Sequence, residues 1–182
     1  YNSYGFICYM AGDYARALDL LEVSLSYRSN EQERAECVVT LDNLGYVRMA
    51  LGQREAARTL FMDALRASRE TRAVAMITDI VVGLAGLLPL PEGGSRAIEL
   101  LTFARYSPYS WLETKDRAGR WQAERAALLP PEVVAAAVAR GRALEFDEVV
   151  ADLLGLSPRG TASGPGPRHV ENALPGDSAP AA

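Results

Sequence analysis

The chain has 182 residues, 49% of them apolar and 23% charged, with a formal net charge of −4. That length supports one ordinary core or a short array of repeated units, and the negative balance argues against nucleic acid or an anionic membrane surface as a partner. No apolar run is long enough to span a bilayer: the nearest, Ile77 to Leu90, is broken by Asp79 and Pro89.

In chain order, the first helix runs from Tyr1 to about Ala11 and the second from about Asp13 to Tyr27. Asn30 with Glu33 makes a capping-box pattern, and Glu31, Glu33 and Glu36 suit the positive end of a helix that continues to about Leu51. A fourth helix is expected from Gln53 to about Ser68 and a fifth from about Thr71 to Leu88, where Pro89 and Pro91 stop it. A sixth runs from about Ser95 to Tyr106. Ser110 with Glu113 reads as a second capping box, opening a helix to about Leu129 that Pro130 ends. Pro131 then suits the first turn of the next helix, which Gly141 is expected to fray, and "DEVVADLL" is a last short helix ending at Gly155. From 156 to 182 Pro, Gly, Ser and Ala dominate, and a disordered tail is expected; it holds the only histidine, His169.

The first six helices repeat with a period of 40. Gly5, Gly45 and Ala85 share a column, as do Ala17, Ala57 and Ala97, then Leu21, Phe61 and Leu101, then Ser24, Ala64 and Ala104. Small residues let two helices approach closely, because side-chain size sets interaxial distance. Gly12 and Gly52 suit a tight turn with positive φ, whereas the third unit has Glu92 there. Each unit is therefore a helix, a turn and a second helix doubled back on the first. The expected fold is all-α: an antiparallel helix-pair solenoid over 1–107, with units of about 1–28, 29–68 and 69–107, a helical cap over 108–155, and the tail. Tyr1 falls inside the pattern, so the first helix is expected to begin about nine residues earlier, by analogy with Glu31 and Thr71. Its shortening is expected to expose Leu18 and Leu21 and to make that end fray or associate.

The pattern Leu44-Gly45, Gly52, Ala57, Phe61, Ala64, with Tyr14 in "GDYARAL" and Ser107-Pro108 near the end of the third unit, resembles the tetratricopeptide repeat. The usual unit of that family is about 34 residues, so the units here are long. HEAT and armadillo units have similar lengths but lack the Gly-turn-Ala pattern. Long units of this kind resemble the helical arrays found C-terminal to nucleotide-binding switch regions in large bacterial transcriptional regulators and signalling proteins. The resemblance implies a protein–protein interaction module that binds a protein or peptide segment, or an upstream domain of its own chain. The alternative is an effector-sensing domain of a nucleotide-switch regulator.

Catalytic and metal-binding patterns are not read from the chain. "PEGGSRA" lacks the lysine of a phosphate loop, and one tail histidine makes no triad or metal cluster. Cys8 and Cys37 have no ligand spacing and are expected to be reduced, half-buried helix residues of a cytoplasmic chain. An enzyme, a cofactor and a bound metal are not expected. The expected site is a concave face lined by the first helix of each unit: Asn2, Phe6, Tyr9 and Met10; Val39, Asp42, Tyr46 and Met49; and Asp79, Val82 and Gly86. Asp42 and Asp79 without a lysine predict that this face does not clamp a free carboxylate, and that a basic or apolar helical segment suits it better.

Overall fold

The computed structural model describes residues 1–27 and 37–156. Every regular element among them is a helix: α1 (Asn2–Met10), α2 (Tyr14–Ser26), α3 (Val38–Ala50), α4 (Arg54–Thr71), α5 (Val74–Gly86), α6 (Gly94–Tyr106), α7 (Leu112–Ala126), α8 (Pro131–Ala143) and α9 (Phe146–Leu153). The protein is all-α. None of these helices is long and apolar enough to cross a membrane. The Asn30/Glu33 cap and the expected tail with His169 lie outside the described residues.

Successive helices pair as α1 with α2, α3 with α4 and α5 with α6. Each pair also touches the next, α2 against α3 and α4 against α5. The close approaches recur in register. A methyl group on Gly5 would stand 2.7 Å from Leu21 Cγ, and one on Gly45 would stand 2.6 Å from Phe61 Cε1. Both contacts join the same two columns of the 40-residue pattern, so the small residue on one helix makes the socket for the large residue on its partner. Ala17, Ala57 and Ala97 are all fully buried. Phe61 has a second socket: a methyl on Gly83 of α5 would meet its Cζ at 2.5 Å. One ring therefore ties α4 to both α3 and α5. Leu21, expected to be exposed, is fully covered, because Gly5 brings α1 down onto it. Leu18 is half-buried, and Tyr4, Ile7 and Met10 of α1 are exposed at that end. Cys8 and Cys37 are free and more deeply buried than expected, and Cys37 precedes α3 as its N-cap.

The turns follow from the glycines. Gly12 and Gly52 have φ of 82° and 75°. Around the first, the Gly12 N–H donates to the Tyr9 carbonyl at 3.0 Å and the Asp13 N–H to the Cys8 carbonyl at 2.9 Å. Gly52 and Gln53 repeat this with Met49 and Arg48 at 3.0 and 2.8 Å. Each is a helix C-terminus closed by a left-handed residue. Asp13 then caps α2 through its own carboxylate, which accepts from the Arg16 N–H at 3.2 Å. The third unit has no glycine at this place, and α5 ends differently. Arg125 reaches from α7 to the carbonyls of Gly86, at 3.0 Å, and Ala85, at 3.4 Å, and Arg54 donates to the carbonyl of Leu87. Two guanidinium groups thus take up carbonyls at this helix end.

Several boundaries differ from expectation: α3 opens only at Val38, α5 ends at Gly86 and not Leu88, and α7 ends at Ala126 and not Leu129. Helix α4 continues past Ser68 to Thr71, and α5 opens at Val74. The break is at Arg72, a non-glycine residue with φ of 55°, closed by the Ala73 N–H donating to the Ser68 carbonyl at 2.9 Å. The Ser110/Glu113 capping box does not form: the Ser110 hydroxyl donates to the Ala104 carbonyl at 2.6 Å, and α7 starts after Trp111 without a side-chain cap. Gly141 does not fray α8. It is buried against α6, where a methyl group would stand 2.5 Å from the Glu99 carbonyl oxygen. Arg140, beside it, donates to Glu99 at 2.7 Å and to Ser95 at 2.9 Å.

These turns give a direct expectation. Nothing lies within 4 Å of a methyl built on Gly52, so Gly52→Ala should lose only the left-handed preference, about 1–2 kcal/mol. Arg72→Gly should gain about 0.5–1 kcal/mol, the relief at φ 55° being partly offset by glycine's greater chain entropy. Urea denaturation of the two variants beside the parent chain measures both; shifts of the same sign would refute this account of the turns.

Candidate functional site

Helices α1, α3 and α5 lie side by side, and α7 continues the row, touching α5 as α5 touches α3. A hollow of about 480 Å³ opens among these four helices. Asn2, Phe6, Val39, Asp42, Tyr46 and Asp79 line it, so six of the residues selected from the sequence meet at one place. Tyr9 and Met10 line an adjoining recess with Phe6 and α7 residues including Arg117 and Arg120. Met49 is half-buried and packs on the apolar core. Val82 lines nothing: it is 0% exposed. Helix α5 is buried at every residue from Met76 to Ala85, because it has neighbours in α3, α4, α6 and α7. A helix so enclosed gives the hollow only Met76 and Asp79. Gly86 is likewise spoken for, since a methyl there would stand 2.6 Å from the Trp121 ring.

The floor of the hollow is polar and organised around Tyr46, which is 2% exposed. Its hydroxyl donates to the Asp79 backbone carbonyl at 2.9 Å. Its ring meets Phe61 edge-on at 5.0 Å, and the Arg117 guanidinium lies over it at 4.2 Å. Arg117 Nη1 donates to both oxygens of Asp79 at 3.2 Å, and the Thr114 hydroxyl donates to Asp79 Oδ1 at 2.7 Å. Asp79, the acid inside the apolar run "MITDIVVGL", thus has a cation and a hydroxyl as partners. Burial alone would lower the pKa of Arg117, but its position beside Tyr46 and Asp79 holds the guanidinium above its ordinary value. Burial also pushes the Tyr46 phenol well up, and Asp79 and Asp42 push it in the same direction.

Asp42 is treated differently. It is 3% exposed, and its Oδ1 has no hydrogen-bond partner. Burial raises its pKa well above the ordinary 3.8, and the Asp79 charge and a side-chain hydrogen bond with Asp79 add to this, against the opposing pull of Arg117. Burial thus favours the protonated form of Asp42. Above this floor the rim is apolar: Phe6 and Ile7 from α1, Val39 from α3 and Trp111 before α7 are all exposed.

Sequence reasoning missed the contribution of α7. The three-unit alignment supplies no cation to this face, yet Arg117 enters it, and Trp111 and Thr114 complete its wall. A signal was present: Thr114, Ala118, Gln122 and Arg125 are the buried stripe of α7, at helical spacing. A buried Asp79 also calls for a charged or hydrogen-bonding partner from a neighbouring helix. A second hollow, of about 500 Å³, lies between α4, α5 and α9, with Arg69, Arg72 and Asp147 at its edge, and none of the selected residues lines it. Among the described residues no three His, Cys, Asp or Glu gather to hold a metal ion.

The Asp42 carboxyl makes stability depend on pH. A folded-state pKa raised above the unfolded value means that the folded chain binds the proton more tightly. The stability from this group is full below the unfolded value of about 3.8 and is lost as pH rises through the folded value. Asp42→Asn should flatten that decline, whose slope for one proton is at most about 1.4 kcal/mol per pH unit. Urea denaturation from about pH 4 upward reads the difference; parallel curves for the two proteins would show that Asp42 titrates normally.

No family model matches the chain, and no curated protein or solved structure matches it.

Proposed function

We propose that the chain is a protein–protein interaction module, a tetratricopeptide-like array of helix pairs stacked as a solenoid, that belongs to a larger regulatory protein. In this reading α1, α3, α5 and α7 form the inner face of the curve, and a helical protein segment, or an upstream domain of the same chain, lies along it. The observation that carries the reading is the hollow itself: four helices of one row give it exposed apolar rim residues around a fixed polar floor. Aromatic and aliphatic side chains that are exposed together at a concavity supply the anchors of such contacts. The repeated Gly5·Leu21 and Gly45·Phe61 sockets support the repeated helix pair, and the Gly83·Phe61 contact supports the stacking of one pair on the next. The module acts without catalysis, metal or cofactor, in the cytoplasm of a bacterial cell, and the negative charge of the chain turns it away from nucleic acid.

The test is selection of displayed helical peptides on the immobilised chain, with Trp111→Glu as the counter-target. Trp111 is 47% exposed, so this change leaves the core intact while placing a charge on the rim. Peptides that bind the parent chain and lose binding to the variant support the reading. Failure to enrich any peptide, or enrichment indifferent to Trp111, overturns it.

A second reading is an effector sensor that passes a small-molecule signal to a nucleotide-binding switch. The polar floor favours it, because a few fixed polar groups beneath apolar walls, in a volume of this size, also describe small-molecule sites. A metabolite panel read by thermal shift separates the two: a ligand specific for the folded state raises the melting temperature with concentration.

A further inference from the structure

We propose that the floor of the hollow is a subsite for a lysine side chain of the bound segment, whose ammonium meets the unpartnered oxygen of Asp42. The proposal rests on the interaction reading above and gives that site its chemistry.

The groups that face Asp42 fix the character of the subsite. Tyr46 on its own helix α3, Asp79 on α5, Arg117 on α7 and Tyr9 on α1 all lie within its field, and the exposed Glu113 of α7 lines the same hollow. Among these the carboxyl groups of Asp42, Asp79 and Glu113 stand against one guanidinium. That guanidinium is committed, since both oxygens of Asp79 and the face of Tyr46 already occupy Arg117. Asp42 lines the hollow, is buried by more than nine-tenths, and retains an oxygen without a partner. An unmet acceptor in so enclosed a place costs free energy until a donor arrives.

The donor that fits is compact and positively charged. A second guanidinium would bring a planar fork to a carboxyl that offers one free oxygen beside an arginine already in place. An ammonium is a point charge with three rotatable donors on a flexible apolar stem. Phe6, Val39 and Trp111 at the rim would pack the methylenes of that stem while the head reaches the floor. When the ammonium arrives, Asp42 ionises. Its proton leaves to solvent, the ammonium N–H donates to the carboxylate, and the net charge of the floor is unchanged. Binding therefore strengthens as pH rises, by up to tenfold per pH unit (about one proton released) while Asp42 is protonated in the free protein.

The probe is n-hexylammonium chloride, with n-hexanol as its uncharged counterpart, titrated into the full chain and followed by amide chemical shifts. The expected result is saturable shifts at Asn43, Tyr46 and Thr114. The ammonium should bind at least about tenfold tighter than the alcohol, as suits a hydrogen bond to a charged group, with the gap closing at low pH and in Asp42→Asn. Titration calorimetry in two buffers of different ionisation enthalpy should report a released proton. Equal binding of the alcohol, or ammonium binding that Asp42→Asn leaves unchanged, overturns the subsite. The alcohol comparison uses the unaltered chain and so does not depend on how the variant folds. Display-selected peptides that occupy the hollow with no preference for lysine over norleucine at any position would overturn the subsite and leave the interaction reading standing. Ammonium binding at the floor without any peptide binding would do the reverse.

Discussion

Phe61→Ala is expected to cost about 3–5 kcal/mol, the range for removing a fully buried aromatic side chain. The ring is 0% exposed and fills two glycine sockets at once, Gly45 on α3 and Gly83 on α5. It also supports Tyr46 edge-on. Its loss opens a cavity where three helices meet, and α3 and α5 cannot close it without shifting the floor of the hollow. Phe61→Leu should cost much less, because Leu21 already fills the equivalent socket beneath Gly5. A domain of this size is stabilised by about 5–15 kcal/mol in total, so the alanine variant should unfold at a much lower urea concentration and the leucine variant close to the parent chain. Equal midpoints for the two would mean that the columns are not equivalent sockets.

Arg117→Met should be the most damaging change on α7, at about 3–5 kcal/mol. Both members of the Asp79–Arg117 pair are largely enclosed, with side chains 11% and 14% exposed. Removing the cation leaves the buried Asp79 carboxylate without its counter-charge. Replacing both partners with apolar residues, Arg117→Met with Asp79→Leu, should recover most of the loss, since neither charge is then stranded. Chemical denaturation of the two single variants and the double variant forms a thermodynamic cycle. Additive losses would show that the two side chains do not depend on one another.

The features that the sequence made legible are local and recur in the chain. The Gly5 and Gly45 columns mark close approach, and Gly12 and Gly52 mark left-handed turns. Both are consequences of a missing side chain, which can be seen without knowing the fold. The features that were not legible depend on what arrives from far along the chain. Arg72 takes a left-handed conformation with no glycine to announce it. Ser110 chooses the Ala104 carbonyl over the helix it precedes. Gly141 is a point of contact with α6, not a weak point in α8, and nothing within α8 distinguishes the two. The same reason divides the site. Asn2, Phe6, Val39, Asp42, Tyr46 and Asp79 follow from repeating one helical face, whereas Thr114 and Arg117 come from a helix outside the 40-residue register. The register assigns Val82 the same position as Asp42, but α3, α4, α6 and α7 all pack on α5 and bury it in the core.

The most direct measurement is amide chemical-shift mapping of a display-selected peptide on the isotope-labelled chain. Perturbations confined to the row of α1, α3, α5 and α7, and strongest at Phe6, Val39, Tyr46 and Trp111, are the result expected. Perturbations concentrated on α2, α4 and α6, with the hollow unaffected, would contradict the account.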